Sequence, residues 1–321
     1  MEQVSLAKIR PGDSVLGFYL LKEAFRKTTQ VGKPFLYAVL TDISGKMDTN
    51  WWEYPDDNPP VTPQDAGSIV KVNGLARDYK GSVQMNILQM RLATPNDNVD
   101  LSALVPTAPI DAQKTLDEIH ALVASIADAD YRAVCEEMLR RHERNFSLIP
   151  AAKNVHHGFT HGLLMHTAQM LRTADFLSRE YAASVDRSLL LTGTLLHDMA
   201  KEKEFTVSPL GIVTDYSLEG NLLGHLVMGA QEVTEVAKQC GLSDEKTALL
   251  SHMILSHHGT PEYGAAVVPK TAEAELLSYI DLLDSRMEIY RELLNGTETG
   301  TFTQRVSVLD GKQIYAHERE Q

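Results

Sequence analysis

The segment LLHDMAK, residues 195–201, places a histidine and an aspartate side by side directly after a long apolar run. Lys201 follows Asp198 by three residues, a spacing that puts both side chains on the same face of a helix. Ionisable groups beside an apolar stretch are costly to bury unless they share a partner. The segment therefore predicts a buried polar site in which Asp198 and Lys201 carry chemistry.

The histidines extend this site to other segments. Nine of the twelve histidines fall between positions 156 and 258, and several lie one helical turn from apolar residues of their own segments. A single histidine in such a place is usually a hydrogen-bonded core residue, but imidazoles and carboxylates from several helices together favour a shared divalent cation. The residues that lie on such apolar stripes are His166, His225, His257 and Asp281.

The residue types indicate a catalytic metal site. Cys135 and Cys240 are the only cysteines, which excludes a disulfide framework and a thiolate zinc site. Histidine and aspartate ligands favour manganese, iron, cobalt or zinc. A divalent cation in such a site can lower the pKa of a bound water and polarise the group that the water attacks. Because the sequence has no GxSxG, P-loop or GxGxxG motif, we expect hydrolysis by metal-activated hydroxide without a protein nucleophile.

Two kinds of element must position these residues. Five short alternating apolar runs with turn signals between them predict a small closed β-barrel in the first 95 residues. A stretch rich in Pro, Asn and Asp follows, and beyond it seven segments with apolar spacings of three and four predict a helical bundle. The predicted boundaries are 1–95 for the barrel, 96–115 for a linker, 116–300 for the helical domain and 301–321 for a C-terminal tail. The strand-like run in the tail is expected to pair within this chain or with a neighbour.

Composition excludes several classes of protein. The chain begins without an apolar core behind a basic start, and no apolar run approaches the roughly 18 residues of a membrane span, so we expect a cytoplasmic protein with no membrane partner. The net charge of −13 argues against a general nucleic-acid coat protein. Residues 1–95 nevertheless carry 11 Lys and Arg against 10 Asp and Glu. The N-terminal region is therefore the part of the chain that would not repel a polyanion overall.

The order of the histidines and aspartates resembles that of the HD-domain phosphohydrolases, which are helical metal enzymes named for the His-Asp pair. More narrowly, the strings GLLMHT, LLHDMAK, EGNLLGH, LSHHGTPEYG and YIDLLDSRM resemble the YhaM-type 3′-to-5′ exoribonucleases. The runs GKPFLYAVLTDISGKMDTNWW and GSIVKVNGLARDYKGSVQMNI are similar to the N-terminal OB-fold of that family. The resemblance covers nearly the whole chain and implies an all-β OB-fold barrel followed by an all-α HD domain.

The resemblance also implies roles for the site residues. His166, His197, Asp198 and Asp281 would hold a first metal, with Asp198 able to bridge to a second. His225 would hold the second metal with His257, His258 or both; adjacent helical residues point about 100° apart, so His257 is favoured unless the helix ends there, as Gly259 suggests. Lys201 would steady the anionic phosphate, the alternative being a solvated lysine at a helix end. The family implies manganese, RNA and 3′-to-5′ polarity.

The barrel offers candidate contacts for nucleic acid, because base stacking needs exposed aromatic rings with nearby cations. Phe35, Trp52 and Tyr79 are the predicted stacking residues. Arg26 and Lys27 in the first hairpin are predicted to contact phosphate. The alternative for each aromatic residue is a place in the core of the small barrel.

Other polar residues receive weaker predictions. Asp284 lies one turn from Asp281; support of a metal ligand is one interpretation of this spacing, but an ion pair in the region of Arg286 or plain solvation is expected for it. The histidines that precede the first ligand are predicted either to contact substrate or to cap a helix: His156, His157 and His161. The remaining histidines are expected to be bystanders: His120, His142, His252 and His317.

Three functions are consistent with these residues. The predicted one is a metal-dependent 3′-to-5′ exonuclease that degrades single-stranded RNA, with single-stranded DNA left open. An HD-domain hydrolase of a mono- or cyclic nucleotide, with a regulatory or oligomerising barrel, is the second. A non-catalytic single-stranded nucleic-acid-binding protein is the third, and it is disfavoured because every ligand position is filled. Assembly into a homo-oligomer is also left open.

Overall fold

A computed structural model of the chain describes residues 4–55, 57–152, 158–208 and 210–319. His156 and His157, for which substrate contact or capping is predicted, lie outside the described residues. The chain forms two compact units. The first extends to Thr107 and also contains Thr206–Asp215, and the second contains Ala108–Phe205 and the chain from Tyr216 onward.

The first unit contains a closed five-stranded barrel with the strand order β1-β2-β3-β5-β4. The strands are β1 (Ser14–Thr28), β2 (Pro34–Asp42), β3 (Gly45–Trp51), β4 (Ile69–Tyr79) and β5 (Ser82–Leu92). Strands β3 and β5 pair in parallel, whereas the other pairs of the barrel are antiparallel. This connectivity is that of an OB-fold, so the predicted fold of the N-terminal domain is confirmed.

Alternation of apolar residues explains why these runs form a barrel. Inward-facing side chains such as Leu21, Leu36 and Met85 are fully buried, while their neighbours along each strand are more exposed. A register shift interrupts the β4–β5 pairing next to Gly74. A Cβ atom at Gly74 would lie 2.7 Å from Met85 Sδ, so this position requires glycine because a neighbouring strand approaches it closely.

The second unit is helical. Its helices are α1 (Ala112–Ala124), α2 (Ala129–Phe146), α3 (Gly162–Glu180), α4 (Arg187–Leu196), α5 (Lys201–Glu204), α6 (Leu218–Leu222), α7 (Gly224–Gln239), α8 (Asp244–Ser256) and α9 (Ala272–Asn295). Asp111, Asp128 and Asp186 cap the starts of α1, α2 and α4, because each aspartate side chain accepts hydrogen bonds from backbone N–H groups of the first turn. The predicted helical domain is confirmed, although α1 begins within the segment that was predicted to be linker.

The continuous helix predicted across the His-Asp pair is interrupted in the structure. Helix α4 ends at Leu196, a turn carries residues 197–200, and the short α5 follows. Two strands that were not predicted come next, β6 (Phe205–Val207) and β7 (Val213–Tyr216). Their connecting hairpin belongs to the first unit, where it approaches Gly67 so closely that a Cβ there would lie 2.6 Å from Thr214 Cγ2.

The C-terminal tail pairs with itself. Isolated bridges join Phe302 to Tyr315 and Val306 to Lys312, which accounts for the strand-like pattern predicted there. None of the helices in the described part of the chain is long and apolar enough to cross a membrane.

Candidate metal centre

The predicted ligands come together inside the second unit. Helix α3 contributes His166, the turn after α4 contributes His197 and Asp198, α7 contributes His225, the end of α8 contributes His257 and His258, and α9 contributes Asp281. His197 and His257 are fully buried, and His166 and Asp198 are nearly so. The packing of these helices therefore places several imidazoles and carboxylates at one buried point.

Asp198 lies at the middle of this group, and each of its two oxygens faces a different set of histidines. Oδ2 is 3.3 Å from His197 Nε2 and 3.7 Å from His166 Nε2. Oδ1 is 3.3 Å from His225 Nε2 and 3.6 Å from His257 Nε2. A carboxylate in this position has the geometry to serve two neighbouring cations, one through each oxygen.

The atoms that could bind metal divide into two groups, and each group is compact enough to surround one ion. His166, His197 and Asp198 form one group, and in it the donor atoms lie within 4.8 Å of one another. The same limit holds for the other group, which consists of His225, His257 and His258. Asp281 Oδ1 is 3.4 Å from His166 Nε2, which adds a second carboxylate to the first group.

Unsatisfied polar atoms show that the residues fit a cation. Four buried donor atoms of this cluster make no hydrogen bond within the described residues: Asp198 Oδ1, His225 Nε2, His257 Nε2 and His258 Nδ1. Buried polar atoms without partners are costly, and in a native protein they call for a bound ion or water. Their convergence at one point, with a donor set of imidazole and carboxylate, is what a divalent transition-metal site requires.

The local structure turns the histidine rings toward this point. His197 and His257 each cap the end of a helix, and the Nδ1–H of each ring donates to the carbonyl three residues earlier at 2.8 Å. These carbonyls belong to the last turns of α4 and α8, where backbone carbonyl groups have no hydrogen-bond partner within the helix. The hydrogen bond at Nδ1 leaves Nε2 of each ring free to face the cluster.

Two acidic residues orient the other rings; the sequence interpretation weighed this role for Asp284 without favouring it and did not consider Glu204. Asp284 Oδ2 accepts a hydrogen bond from His166 Nδ1 at 2.7 Å, whereas Arg286 contacts Asp310 instead. Glu204 Oε1 accepts from His225 Nδ1 at 3.0 Å. The expected ion pair or solvation of Asp284 is therefore wrong. Its spacing one turn after Asp281 was the available signal, and nothing in the sequence marked Glu204.

Burial, neighbouring charges and hydrogen bonds set the protonation of the cluster. Burial opposes ionisation of Asp198, but the positive charges of Lys201 and His197 hold the pKa of that carboxyl well below its usual value. Burial also lowers the pKa of His257 well below 6.5, with His197 adding to the effect. Burial also acts to lower the pKa of His166, but its hydrogen bonds to Asp281 and Asp284 outweigh burial and raise that pKa to about 9. A carboxylate at Asp198 and a neutral imidazole at His257 are the forms that bind metal.

Helix α8 ends at Ser256, and Gly259 has a φ of +78°, the left-handed conformation that glycine favours. The chain therefore leaves helical geometry at the two adjacent histidines. Both His257 and His258 carry a buried nitrogen with no hydrogen-bond partner among the described residues. This favours a contribution from both rings.

Lys201 lies beside the ligands. Its Nζ donates to Asp198 Oδ2 at 2.6 Å, and its side chain is only 15% exposed. A cavity of about 430 Å³ opens over the cluster and is lined in part by Lys201, His166, His257, His258 and Asp281. The cluster is thus accessible to a small ligand from one side.

The remaining histidines occupy varied places. His142 is buried between Glu202 and Glu232, with its Nε2 2.9 Å from Glu232 Oε1. His161 has a φ of +63° at the start of α3, and its ring contacts the Ser147 carbonyl. The other three make local contacts: His120 with Glu143, His252 with the Lys270 backbone and His317 with the Glu318 carbonyl.

The barrel carries an outward-facing aromatic cluster. The rings of Phe35 and Trp52 stack with centroids 4.5 Å apart, and Trp52 Nε1 donates to Asn86 Oδ1 at 3.2 Å. Trp52 is 41% exposed and Tyr79 55% exposed. Phe25, which the sequence interpretation missed, is also exposed and stacks with Tyr37. Its place opposite Tyr37 in the β1–β2 register was the signal that could have found it.

The residues that are predicted to contact phosphate lie on β1, the strand that also carries Phe25. Arg26 and Lys27 are both exposed on β1. Lys27 Nζ lies 4.0 Å from the centre of the Tyr37 ring, and Arg26 Cζ lies 6.0 Å from the centre of the Tyr54 ring. Trp51 and Tyr54, by contrast, are buried in the barrel core.

Comparison with known proteins covers both units. The HD domain family model matches residues 163–286. The 3′-5′ exoribonuclease YhaM of Listeria welshimeri is 36% identical over 304 residues, which are 95% of this chain and 95% of that protein. A domain of replication protein A from Methanococcus maripaludis aligns with 28% of this chain and 94% of its own at 16% identity and a TM-score of 0.24. An OB domain from Methanosarcina mazei aligns with 35% of this chain and all of its own (100%), at 12% identity and a TM-score of 0.26.

Proposed function

This chain belongs to the family of the YhaM 3′-5′ exoribonucleases, and from that premise we propose that it removes nucleotides one at a time from the 3′ end of single-stranded RNA. The observation that carries the proposal is the position of Asp198, with one oxygen toward each of two histidine groups, beside an open cavity that His166, His257 and His258 help to line. Such a centre serves hydrolysis of a phosphodiester.

We assign two divalent cations to this centre, and the family resemblance favours manganese. His166, His197 and Asp281 would hold one cation. The other would be held by His225, His257 and His258, with Asp198 shared between the two. When bound, the cations would make water a nucleophile near neutral pH and neutralise charge that develops on the phosphoryl oxygens.

The protein groups around the centre have separate tasks. Asp284 and Glu204 hold the rings of His166 and His225 with Nε2 directed into the cluster. Lys201 brings a positive charge to the cavity beside Asp198, where it can attract and orient an anionic phosphate. Hydrolysis at phosphorus with the 3′-oxygen of the preceding nucleotide as leaving group would release a nucleoside 5′-monophosphate.

We propose that the barrel gathers the RNA strand. Phe35, Trp52 and Tyr79 offer exposed or partly exposed rings for stacking on successive bases, and Arg26 and Lys27 offer cations for the backbone. Stacking of this kind needs unpaired bases, which favours single-stranded substrates. Single-stranded DNA has the same rings and phosphates, so the barrel alone supplies no strong discrimination against it.

The decisive experiment follows 5′-labelled single-stranded RNA and DNA with manganese or with chelator. Wild type, Asp198→Ala and the surface variant Asp117→Ala are compared, and the folded state of each is checked by circular dichroism. We expect a ladder that shortens from the 3′ end with manganese, unchanged by Asp117→Ala and lost in the presence of chelator or in Asp198→Ala. If RNA is bound but not shortened, the protein is a non-catalytic single-stranded nucleic-acid-binding protein. If only mononucleotides or cyclic nucleotides are hydrolysed, it is an HD-domain hydrolase of small nucleotides.

A cytoplasmic location and self-association belong to the same proposal. The free state of both cysteines supports a reducing compartment. Light scattering coupled to size-exclusion chromatography measures the number of subunits.

A further inference from the structure

The cavity over the metal centre continues along α9, past the ligands. Besides Asp281, its wall includes Ser278, Tyr279 and Glu275 of α9, and the segment after α8 contributes Tyr263. These four residues are not needed to hold a cation. They share one cavity with the predicted ligands His166, His257 and Asp281.

The chemistry of this extension suits a nucleoside. Tyr263 is 71% exposed and Tyr279 is 59% exposed, so both rings present large apolar faces to the space around the cavity mouth. Glu275 offers a carboxylate, and Ser278 offers a hydroxyl. The volume of about 430 Å³ falls within the range of roughly 300–1,000 Å³ that is typical of small-molecule sites.

The spacing along α9 sets the order of these groups. Ser278 lies one turn before Asp281 and Glu275 lies nearly two turns before it, which places Glu275 about 9 Å along the helix axis from the metal ligand. Tyr279 follows Glu275 by four residues, and a hydrogen bond between their side chains raises the pKa of Tyr279. A nucleotide with its 5′-phosphate at the metal centre would extend its ribose toward Ser278 and Glu275.

We propose that this extension is the subsite for the 3′-terminal nucleoside of the substrate. Tyr263 and Tyr279 contact the faces of the base, and the Glu275 carboxylate accepts hydrogen bonds from the ribose hydroxyls. This inference rests on the proposed function, because it identifies which end of the strand enters the cavity and which groups recognise it.

Two properties follow from a carboxylate at this place. A carboxylate accepts hydrogen bonds from a 3′-hydroxyl and a 2′-hydroxyl, so loss of the 2′-hydroxyl weakens binding. A terminal 3′-phosphate would place negative charge against Glu275 and would be repelled. RNA preference and the requirement for a free 3′ end therefore arise from the helical unit and not from the barrel.

Binding of the reaction product tests the subsite without turnover. Calorimetric titration of the manganese-loaded protein with AMP and with dAMP is compared for wild type, Tyr263→Ala, Tyr279→Ala and Tyr279→Phe. Tyr181→Ala is the matched control, since Tyr181 is 55% exposed and does not line this cavity. Stacking is worth about 1–3 kcal/mol per base, so each alanine variant in the cavity should bind AMP about 5- to 150-fold more weakly. Tyr279→Phe keeps the ring and should bind nearly as well as wild type.

Glu275→Gln tests the ribose contact separately. The amide loses the negative charge, so the preference for AMP over dAMP should fall and RNA with a terminal 3′-phosphate should become a better substrate relative to RNA with a free 3′ end. The inference is overturned if Tyr263→Ala and Tyr279→Ala bind AMP as tightly as Tyr181→Ala while wild type still shortens RNA. That result leaves the exonuclease proposal intact, whereas a wild type that does not shorten RNA removes both.

Discussion

Replacement of Asp284 by asparagine tests whether the second aspartate of α9 controls the metal centre. Asp284 Oδ2 accepts a hydrogen bond from His166 Nδ1 at 2.7 Å, and the two side chains are 14% and 3% exposed. This contact holds the ring with Nε2 toward Asp281 and His197, and the negative charge makes the imidazole a stronger ligand. Asparagine has nearly the same shape but carries no charge, so the fold should be retained while the ligand weakens.

The expected loss of metal affinity follows from the kind of contact that the substitution removes. Loss of the outer partner of a metal-bound histidine typically costs about 10- to 100-fold in metal affinity or activity, which corresponds to about 1.4–2.8 kcal/mol. Asp284→Asn should therefore need about 10- to 100-fold more manganese for half-maximal cleavage of RNA. Cleavage at saturating metal should recover in part, because every residue assigned to hold metal is still present.

The assay is a manganese titration of RNA cleavage, supported by calorimetric titration of the metal-free protein with manganese. Asp310→Asn is the control, because Asp310 is exposed and contacts Arg286 and Lys312 outside the centre. Urea unfolding of both variants detects a general loss of stability. A titration midpoint within twofold of wild type for a folded Asp284→Asn would refute the assignment of Asp284 as an orienting residue.

Three further perturbations have defined outcomes. Gly74→Ala should destabilise the protein by about 1–3 kcal/mol in urea unfolding, because its Cβ would lie 2.7 Å from Met85 Sδ. The pKa of His142 is raised to about 9, since its hydrogen bonds to Glu202 and Glu232 outweigh burial, so the charged imidazole contributes stability below pH 6.5 that is lost as pH rises through 9. His142→Gln should therefore lower the unfolding free energy by about 2–3 kcal/mol at pH 6 and by much less at pH 10, and an equal loss at both values would contradict this. Trp52→Ala should weaken binding of a long single-stranded RNA by about 1–3 kcal/mol while cleavage of a dinucleotide changes little, as fluorescence anisotropy and product release can measure.

Local pattern in the sequence determined the elements and the ligand types. Five alternating runs predicted five strands, because the side-chain period of two is present along each strand itself, although β1 continues to Thr28, well beyond its predicted run. The helical period of three to four likewise placed His166, His225 and Asp281 on the apolar stripes of their helices. Imidazoles and carboxylates on the apolar stripes of several helices favour a shared cation, so the residue types indicated a metal site, while the resemblance to the HD-domain family supplied the full set of predicted ligands.

The tertiary structure decided the contacts between distant segments. His166 and Asp284 are 118 residues apart, and no spacing within either helix records that their side chains meet. The same is true of the hairpin Thr206–Asp215, which interrupts the helical region in sequence and groups with the barrel in space. The packing of the helices decides the orientation of each ligand, the division of the ligand atoms around the two oxygens of Asp198 and the shape of the cavity. Packing is a property of many distant side chains together, which is why the sequence by itself specified the chemistry of this site but not its geometry.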